Sequence, residues 1–397
     1  MHRNLKQKKP ILPPAMLGVI GGGQLGMFFT QAAVKMGYPV AVLDPDPHSP
    51  AMAFATERIL APYENQAGLE RMASLCAAIT IEFESVPAAS VRQLESVCVT
   101  APSANSISVL QDRVLEKDFL RAIGLTVAPY LPVLSAADLE APGCYPGILK
   151  LARQSYDGKG QAHVANAQLA RAAWKDLGES VCVLEKKMTL DCEFSVVIAR
   201  GATGQTSHFP IAKNIHNRGI LQLSVVPANI SAELEADAVE WAKHIAFSLD
   251  YVGVLAVEYF IAEGQLLVNE IAPRPHNSGH YTLEATTTSQ FEQQVRALCG
   301  LPLGETTLLS PAAMVNVLGE AWCGGAPDWS KALGNSGGRL HLYGKSGPRP
   351  GRKMAHITVL HGDPAVAERE ATACLRRLHR DSIQSKLVEF EGSNSRT

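Results

Sequence analysis

Val268-Asn269-Glu270-Ile271-Ala272-Pro273-Arg274-Pro275-His276-Asn277-Ser278-Gly279-His280 is the stretch on which the reading of this chain turns. The apolar run Leu266-Leu267-Val268 reads as a buried strand. It ends in Asn269-Glu270, an oxygen-rich pair suited to a hard cation such as Mg²⁺. Two prolines then fix the backbone around Arg274, which suggests a side chain aimed at an anion. Just upstream, Val254 to Phe260 forms a second strand, with Glu263-Gly264 as a hairpin signal. A three-residue turn centred on Gly264 sets Glu258 opposite Glu270, so two carboxylates share one face of apolar strands. Neighbouring buried anions repel and lose hydration. A divalent cation removes both costs; partial protonation or salt bridges to basic residues elsewhere are the alternatives.

Towards the N-terminus, Leu17 to Ile20 reads as a strand, Gly21-Gly22-Gly23-Gln24-Leu25-Gly26 as a glycine turn, and Leu25 to Met36 as a helix stopped by Gly37. Val40 to Leu43 is the next strand, closed by Asp44-Pro45-Asp46-Pro47, and Ala78 to Glu84 a later one. Strand, turn, helix and strand imply a parallel sheet. Gly21-x-Gly23-x-x-Gly26 with Asp44 satisfies the dinucleotide fingerprint. The same turn also serves a phosphorylated substrate, or tight packing alone. Gln24 adds an amide for a sugar or base. Ser108 and Gln111 fit a capping box for a helix from Gln111 to Ile123.

Further on, Gly147 to Lys150 is a strand whose terminal lysine can point at phosphates. The loop Ser155-Tyr156-Asp157-Gly158-Lys159-Gly160-Gln161 lacks P-loop spacing but suits a lid over phosphates. The alternative is a solvated hairpin. The backbone of Glu185-Lys186-Lys187-Met188 can pair with an adenine edge, and Glu193 can accept from ribose hydroxyls, although a solvated charge run has the same composition. His216 is a candidate ligand or a structural histidine. Strands are expected around Glu193–Ile198, Val252–Ile261, Arg339–Tyr343 and His356–Leu360. The basic, glycine-rich turn from Lys345 to Lys353 is a candidate phosphate monoester site.

At 397 residues, two or three domains are expected. The boundaries read as a lead-in at 1–14, then 15–110, 111–185 with the lid loop, 186–300 and 301–397. A hydrophobic fraction of 46% marks a globular protein, and a net charge of −2 implies no general affinity for nucleic acid or membrane. Eight cysteines form no C-x-x-C pair, which argues against zinc and thioredoxin-like redox chemistry. No secretory signal or membrane-length apolar run is visible, so a cytoplasmic enzyme with free thiols is expected.

Together these segments resemble the ATP-grasp enzymes, and within them the N5-carboxyaminoimidazole ribonucleotide synthetase family, over residues 15 to 365. The landmarks are the first glycine turn, Leu43 to Pro47, Glu82-Phe83-Glu84, Tyr156 to Gln161, Asn269 to His280 and Gly351-Arg352-Lys353-Met354. The resemblance implies an α/β architecture: an ATP-grasp fold with an N-terminal Rossmann-like, pre-ATP-grasp parallel-sheet domain and a small β-rich C-terminal region. It implies ATP and Mg²⁺ as cofactors, 5-aminoimidazole ribonucleotide and bicarbonate as substrates, and a homodimer. Arg113, Lys150, the loop Ser155 to Gln161 with Lys159, and His216 would meet ATP phosphates or their surroundings. Glu185, Lys186, Lys187 and Met188 would hold adenine, and Glu193 the ribose. Glu258, Asn269 and Glu270 would bind the metal. Arg274, His276 and Asn277, with Lys159, would carry the chemistry around bicarbonate and the reacting amine. Gln24, Leu25, Glu82, Tyr156, Asp157, Arg274, His276, Lys345 and Arg352 would hold the ribonucleotide. The chain departs from the family pattern at Met27, where a basic residue is common, at Ser155 and Ala355, where glycine is usual, and at Lys186 and Lys187, which replace an apolar stretch. Three other readings compete: a formate-dependent glycinamide ribonucleotide enzyme of the same fold, an NAD-dependent oxidoreductase, and a non-catalytic nucleotide sensor.

Overall fold

The computed structural model describes residues 9–153, 160–323, 325–334 and 337–379. Among them the strands form three sheets. The first is parallel, in the order Glu57–Ile59, Val40–Leu43, Leu17–Ile20, Ala78–Ile81, Val99–Thr100. Its central strands are buried throughout, as parallel strands covered on both faces must be. The helix Gln24–Lys35 packs Phe28, Phe29 and Ala33 into the core beside this sheet.

The second sheet is antiparallel and has four strands, in the order Tyr130–Val133, Cys182–Lys186, Gly147–Leu151, Gln161–Val164. The third runs from Gln265–Ala272 through Gly253–Ala262, Cys192–Arg200, Ala212–Asn217 and Ile220–Val226 to Ala312–Leu318, Lys353–Leu360 and Gly338–Leu342. Thr206–His208 pairs beside Cys192–Arg200. Strands on both sides of residue 300 thus share one continuous sheet.

The helix Gln290–Leu298 fastens these parts together. Phe291 and Val295 join the core of the parallel sheet. Its buried Gln294 accepts from the Val254 N–H (2.6 Å) and donates to Thr80 Oγ1 (2.9 Å), bridging the first and third sheets. Every polar atom placed in such an interior needs a partner, and this amide finds one on each side.

Two local expectations are corrected. Ser108 and Gln111 form no N-terminal capping box; Gln111 instead closes the C-terminus of the preceding helix. Two helices meet there, Ala104–Leu110 and Arg113–Ala122, and Asp112 caps the second by accepting from the N–H groups of Val114 (3.0 Å) and Leu115 (3.3 Å). A carboxylate at the N-cap satisfies two orphan donors and the helix dipole at once. The strand expected over 78–84 ends at Ile81, which releases Glu82 and Glu84 into the bend that follows.

Candidate active site

Glu258 and Glu270 are register partners, as the sequence implied, but by a different route. Ala262 pairs with Gln265, so the hairpin loop is the two residues Glu263-Gly264, both at positive φ (53° and 73°). That is the preferred geometry for a two-residue hairpin, and glycine accepts it freely. On its own this turn would set Glu258 opposite Asn269. A β-bulge inserts Asn269 and moves Glu270 into place. Asn269 Nδ2 then lies 3.4 Å from Glu258 Oε2, so three oxygen-bearing side chains gather at one spot.

The electrostatics separate the two carboxylates. Burial raises Glu258, Glu270 raises it further, and its pKa reaches about 7. Burial also opposes ionisation of Glu270, but Arg113, 2.8 Å away, together with Lys150, outweighs it and holds the group at about 2. Burial thus favours the protonated form of Glu258, while Arg113 pairs with the Glu270 anion. Glu258, with Asn269 Nδ2 at 3.4 Å and His276 Nε2 at 3.3 Å, is less fully compensated than Glu270. A divalent cation held by Glu258, Glu270 and Asn269 would supply that compensation, and the oxygen donor set suits a hard ion.

Arg113 sits at the start of its helix, with Glu116 and Lys117 on the same face at i+3 and i+4. Glu116 accepts from the Ile271 N–H (2.5 Å), and burial with Glu270 nearby pushes it up to about 8. Lys117, 1% exposed, lies 3.3 Å from Glu185, and Lys150 lies 3.0 Å from the other oxygen of the same carboxylate. Burial disfavours the Glu185 anion, yet Lys150, Lys117 and Arg113 together hold it at about 2. The Glu185 side chain therefore anchors two lysines. Along the segment Glu185 to Met188, the N–H groups of Lys186 and Lys187 are taken by the carbonyls of Pro129 and Pro146 (2.8 and 2.9 Å). Glu193 and His216 meet at 2.7 Å; burial lowers the imidazole, but Glu193 and Glu258 together raise it overall.

Arg274 is aimed by a residue the sequence reading did not single out for a role. Its Nε donates to Glu84 Oε2 at 2.5 Å. His276 is held on every side. Its N–H donates to Gln290 Oε1 (2.8 Å), its carbonyl accepts from Gln290 Nε2 (2.7 Å), Nδ1 lies 2.8 Å from Ser278 Oγ, and Nε2 lies 3.3 Å from Glu258. Burial, then Arg274 and Lys353, push the imidazole well below its ordinary pKa, so it is neutral. Behind it runs a buried chain from Ser278 through Ser195 (2.7 Å) and Asn214 (3.0 Å) to Ser224 (2.8 Å). Asn277 is spent in a reciprocal amide pair with Asn316 (3.0 and 2.7 Å), so its side chain braces the segment from inside.

At the glycine turn, the Gly22 N–H donates to Asp44 (2.7 Å), Leu25 N–H to Glu82 (3.2 Å), and Gly23 N–H also to Glu82. The turn spends these donors on the protein's own carboxylates, so they are not presented to a dinucleotide diphosphate. The glycines are needed for close packing: a Cβ on Gly22 would overlap Ser49, and one on Gly23 would overlap Glu82. A cavity of about 230 Å³ opens beside the turn, lined by residues including Glu82, Lys345 and Arg352. It also takes in Asp44 of the fingerprint and Ser346 of the basic turn, together with Asp46, His48 and Tyr63, to which the sequence reading gave no role. Lys345 donates to Gln24 Oε1, and Arg352 Nη1 to the Ser346 carbonyl (2.5 Å). The Leu25 side chain is buried in the core and its N–H is taken by Glu82, so Leu25 does not line the cavity.

Ser155, Tyr156, Asp157, Gly158 and Lys159 lie outside the described residues. Gly160 follows at φ 67°, and Gln161 pairs with Lys150 across the second sheet. The residues missed from sequence had one usable signal: Glu116 and Lys117 recur with Arg113 at helical spacing. Glu84 and Gln290 had none: Glu84 is 190 residues from Arg274, and the 14 residues between His276 and Gln290 follow no helix or strand period.

Comparison with known proteins agrees with this geometry. Residues 15–111, 118–291 and 312–370 match, in order, models of the ribonucleotide synthetase preATP-grasp domain, the ATP-grasp domain and the phosphoribosylaminoimidazole carboxylase C-terminal domain. The chain is 41% identical over 360 residues to the N5-carboxyaminoimidazole ribonucleotide synthase of Bacillus subtilis, covering 89% of this chain and 93% of that one. It is 38% identical over 395 residues to the Staphylococcus aureus synthase, covering 96% and 98%. The structure superposes on the Staphylococcus aureus N5-carboxyaminoimidazole synthetase complexed with ADP at a TM-score of 0.85, with 37% identity and 93% and 99% coverage. On the Aspergillus clavatus enzyme in complex with ADP and 5-aminoimidazole ribonucleotide the TM-score is 0.84, with 28% identity and 92% and 99% coverage. A parallel-sheet domain, a carboxylate pair on a bulged hairpin and similarity along nearly the whole length lead to one conclusion: the chain belongs to the N5-carboxyaminoimidazole ribonucleotide synthase family of ATP-grasp proteins.

Proposed function

We propose that this chain is an ATP-dependent ligase that carboxylates 5-aminoimidazole ribonucleotide, taking carbon from bicarbonate and releasing N5-carboxyaminoimidazole ribonucleotide, ADP and phosphate. One observation carries the reading. Glu258, Glu270, Arg113 and Arg274 form one charged cluster around the neutral His276, and Glu82, which borders the 230 Å³ cavity, lies close enough to bias Arg274.

In this reading the cavity holds the ribonucleotide. Lys345 and Arg352 offer cations to its phosphate, while Gln24 and Glu82 offer polar partners at the glycine turn. Tyr156 and Asp157 complete the set from the loop outside the described residues. ATP lies against Arg113, Lys150 and His216, with adenine along Glu185 to Met188 and ribose at Glu193. Glu258, Glu270 and Asn269 would hold Mg²⁺, which would supply charge neutralisation to the phosphates during phosphoryl transfer.

Bicarbonate is a poor electrophile, and phosphorylation to carboxyphosphate activates it. Arg274, fixed by Glu84 and its flanking prolines, presents a cation to the anionic carbon source. Neutral His276 orients by hydrogen bonding and adds no charge that would trap bicarbonate. The exocyclic amine attacks carboxyphosphate, or CO₂ released from it. Water must be kept out, and Lys159 with loop 155–161 is assigned that closing role. A cytoplasmic homodimer belongs to the same reading and rests on the family resemblance; among the described residues no helix is long and apolar enough to cross a membrane.

The test is ADP release measured with each substrate omitted in turn. It should require both bicarbonate and 5-aminoimidazole ribonucleotide, and glycinamide ribonucleotide with formate should not substitute. ATP turnover unchanged without the ribonucleotide would overturn the assignment.

A further inference from the structure

A second group of metal-binding side chains stands apart from the carboxylate pair. His341 and His356 are cross-strand partners in Gly338–Leu342 and Lys353–Leu360, and Glu284 comes from the short helix Thr282–Ala285. One ligand atom from each of the three lies within 4.8 Å of the others. The two imidazoles are nearly parallel, with ring centres 4.5 Å apart, and His341 Nε2 is 2.6 Å from Glu284 Oε1.

A second observation points to a ligand. His356 is fully buried, and its Nδ1 lies 2.9 Å from the Tyr343 hydroxyl. Its Nε2 is buried without a protein partner, as is Glu284 Oε2. A buried imidazole nitrogen and a carboxylate oxygen left unpaired in the same cluster are costly in an apolar interior. A metal ion satisfies both. The arrangement is also that of a prepared ligand, since metal-bound histidines characteristically use their other ring nitrogen on an outer partner that fixes the tautomer.

We propose that Glu284, His341 and His356 form a binding site for a divalent transition-metal ion of the zinc class. Two imidazoles and one carboxylate suit zinc, with a fourth position left for water, and they disfavour magnesium, which prefers oxygen. The ion would join the segment following His276 to the two C-terminal strands. The turn between those strands carries Lys345 and Arg352, so an occupied site would stiffen the wall of the ribonucleotide cavity.

The experiment uses the full-length chain, stripped with a chelator and then freed of it. Zn²⁺ is titrated by calorimetry, and Co²⁺ is followed by its visible spectrum. One equivalent should bind, with X-ray absorption showing two imidazole nitrogens around zinc. Glu284→Gln and His341→Ala should each weaken binding about ten- to a hundred-fold, while Glu270→Gln retains it. Unchanged affinity in both cluster variants overturns the proposal, as does loss of the site in Glu270→Gln, because the ion would then belong to the carboxylate pair. Should His341→Ala fail to fold, a shell lacking imidazole in the unaltered protein would be equally decisive.

Discussion

Glu185 shows how much can rest on one side chain. It is 4% exposed and sits between Lys117 and Lys150. Glu185→Gln would leave two buried ammonium groups facing each other without a counter-ion. A loss of about 3–5 kcal/mol is expected, read from denaturant unfolding. The sign of its pH dependence follows from its depressed pKa. Its stabilisation is complete above the ordinary carboxylate value of 4.5 and fades as pH falls toward about 2. Gln290 is a second such residue, since one amide binds both the N–H and the carbonyl of His276. Gln290→Ala should lower kcat about ten- to a hundred-fold, corresponding to about 1–3 kcal/mol for unsatisfied backbone groups, with little change in the KM for ATP. Steady-state kinetics with each substrate varied would reveal an unaltered kcat, which would mean that His276 is held by other contacts.

The hairpin and the glycine turn are the elements on which the site depends. The Asn269 bulge is what lets a tight two-residue turn coexist with a Glu258–Glu270 pair. In the glycine turn the constraint is steric. Gly23→Ala would press a methyl group into the Glu82 carboxylate, which borders the cavity. We expect a stability cost of about 1–3 kcal/mol and a rise of about tenfold or more in the ribonucleotide KM, with a smaller effect on ATP. A ribonucleotide KM equal to that of the unaltered enzyme would remove Glu82 from the substrate wall. Arg352→Ala should raise the same KM, since Arg352 also lines the cavity, leaving ADP binding intact in a calorimetric titration.

At the scale of the molecule, charge is distributed so that neighbouring carboxyls titrate far apart. Glu270 and Glu185 lie at about 2, Glu258 at about 7 and Glu116 at about 8. A carboxyl with a raised pKa contributes in the opposite sense to Glu185: stability falls as pH climbs from about 4.5 through the folded value. Without Mg²⁺, thermal stability should therefore decline between about pH 5 and 8, and Mg²⁺ should restore part of it by favouring the Glu258 anion. The same linkage predicts proton release on Mg²⁺ binding near pH 7. Calorimetry in buffers of different ionisation enthalpy measures it directly, and no proton release would argue against Glu258 as a ligand.

Much of this was legible from residues adjacent in sequence. The parallel sheet followed from buried runs and a glycine turn, and the carboxylate pair from two strands and a turn signal, because strand periodicity and turn chemistry are local. Even there the three-residue turn was wrong and the pairing right, since a bulge is decided by what the strand must pack against. The fate of the glycine turn was not legible at all. Its donors are claimed by Asp44 and Glu82, the latter 59 residues from Gly23. Arg274 aimed by Glu84, 190 residues away, and Glu284 against His341, 57 away, likewise join residues far apart along the chain, and even His276 and Gln290, 14 apart, meet at no helix or strand period. The sequence by itself determined which elements form and which side chains are chemically equipped. The tertiary structure alone decided which carboxylate keeps its proton and which donor is already spent, because burial and the nearest counter-charge are properties of folded space.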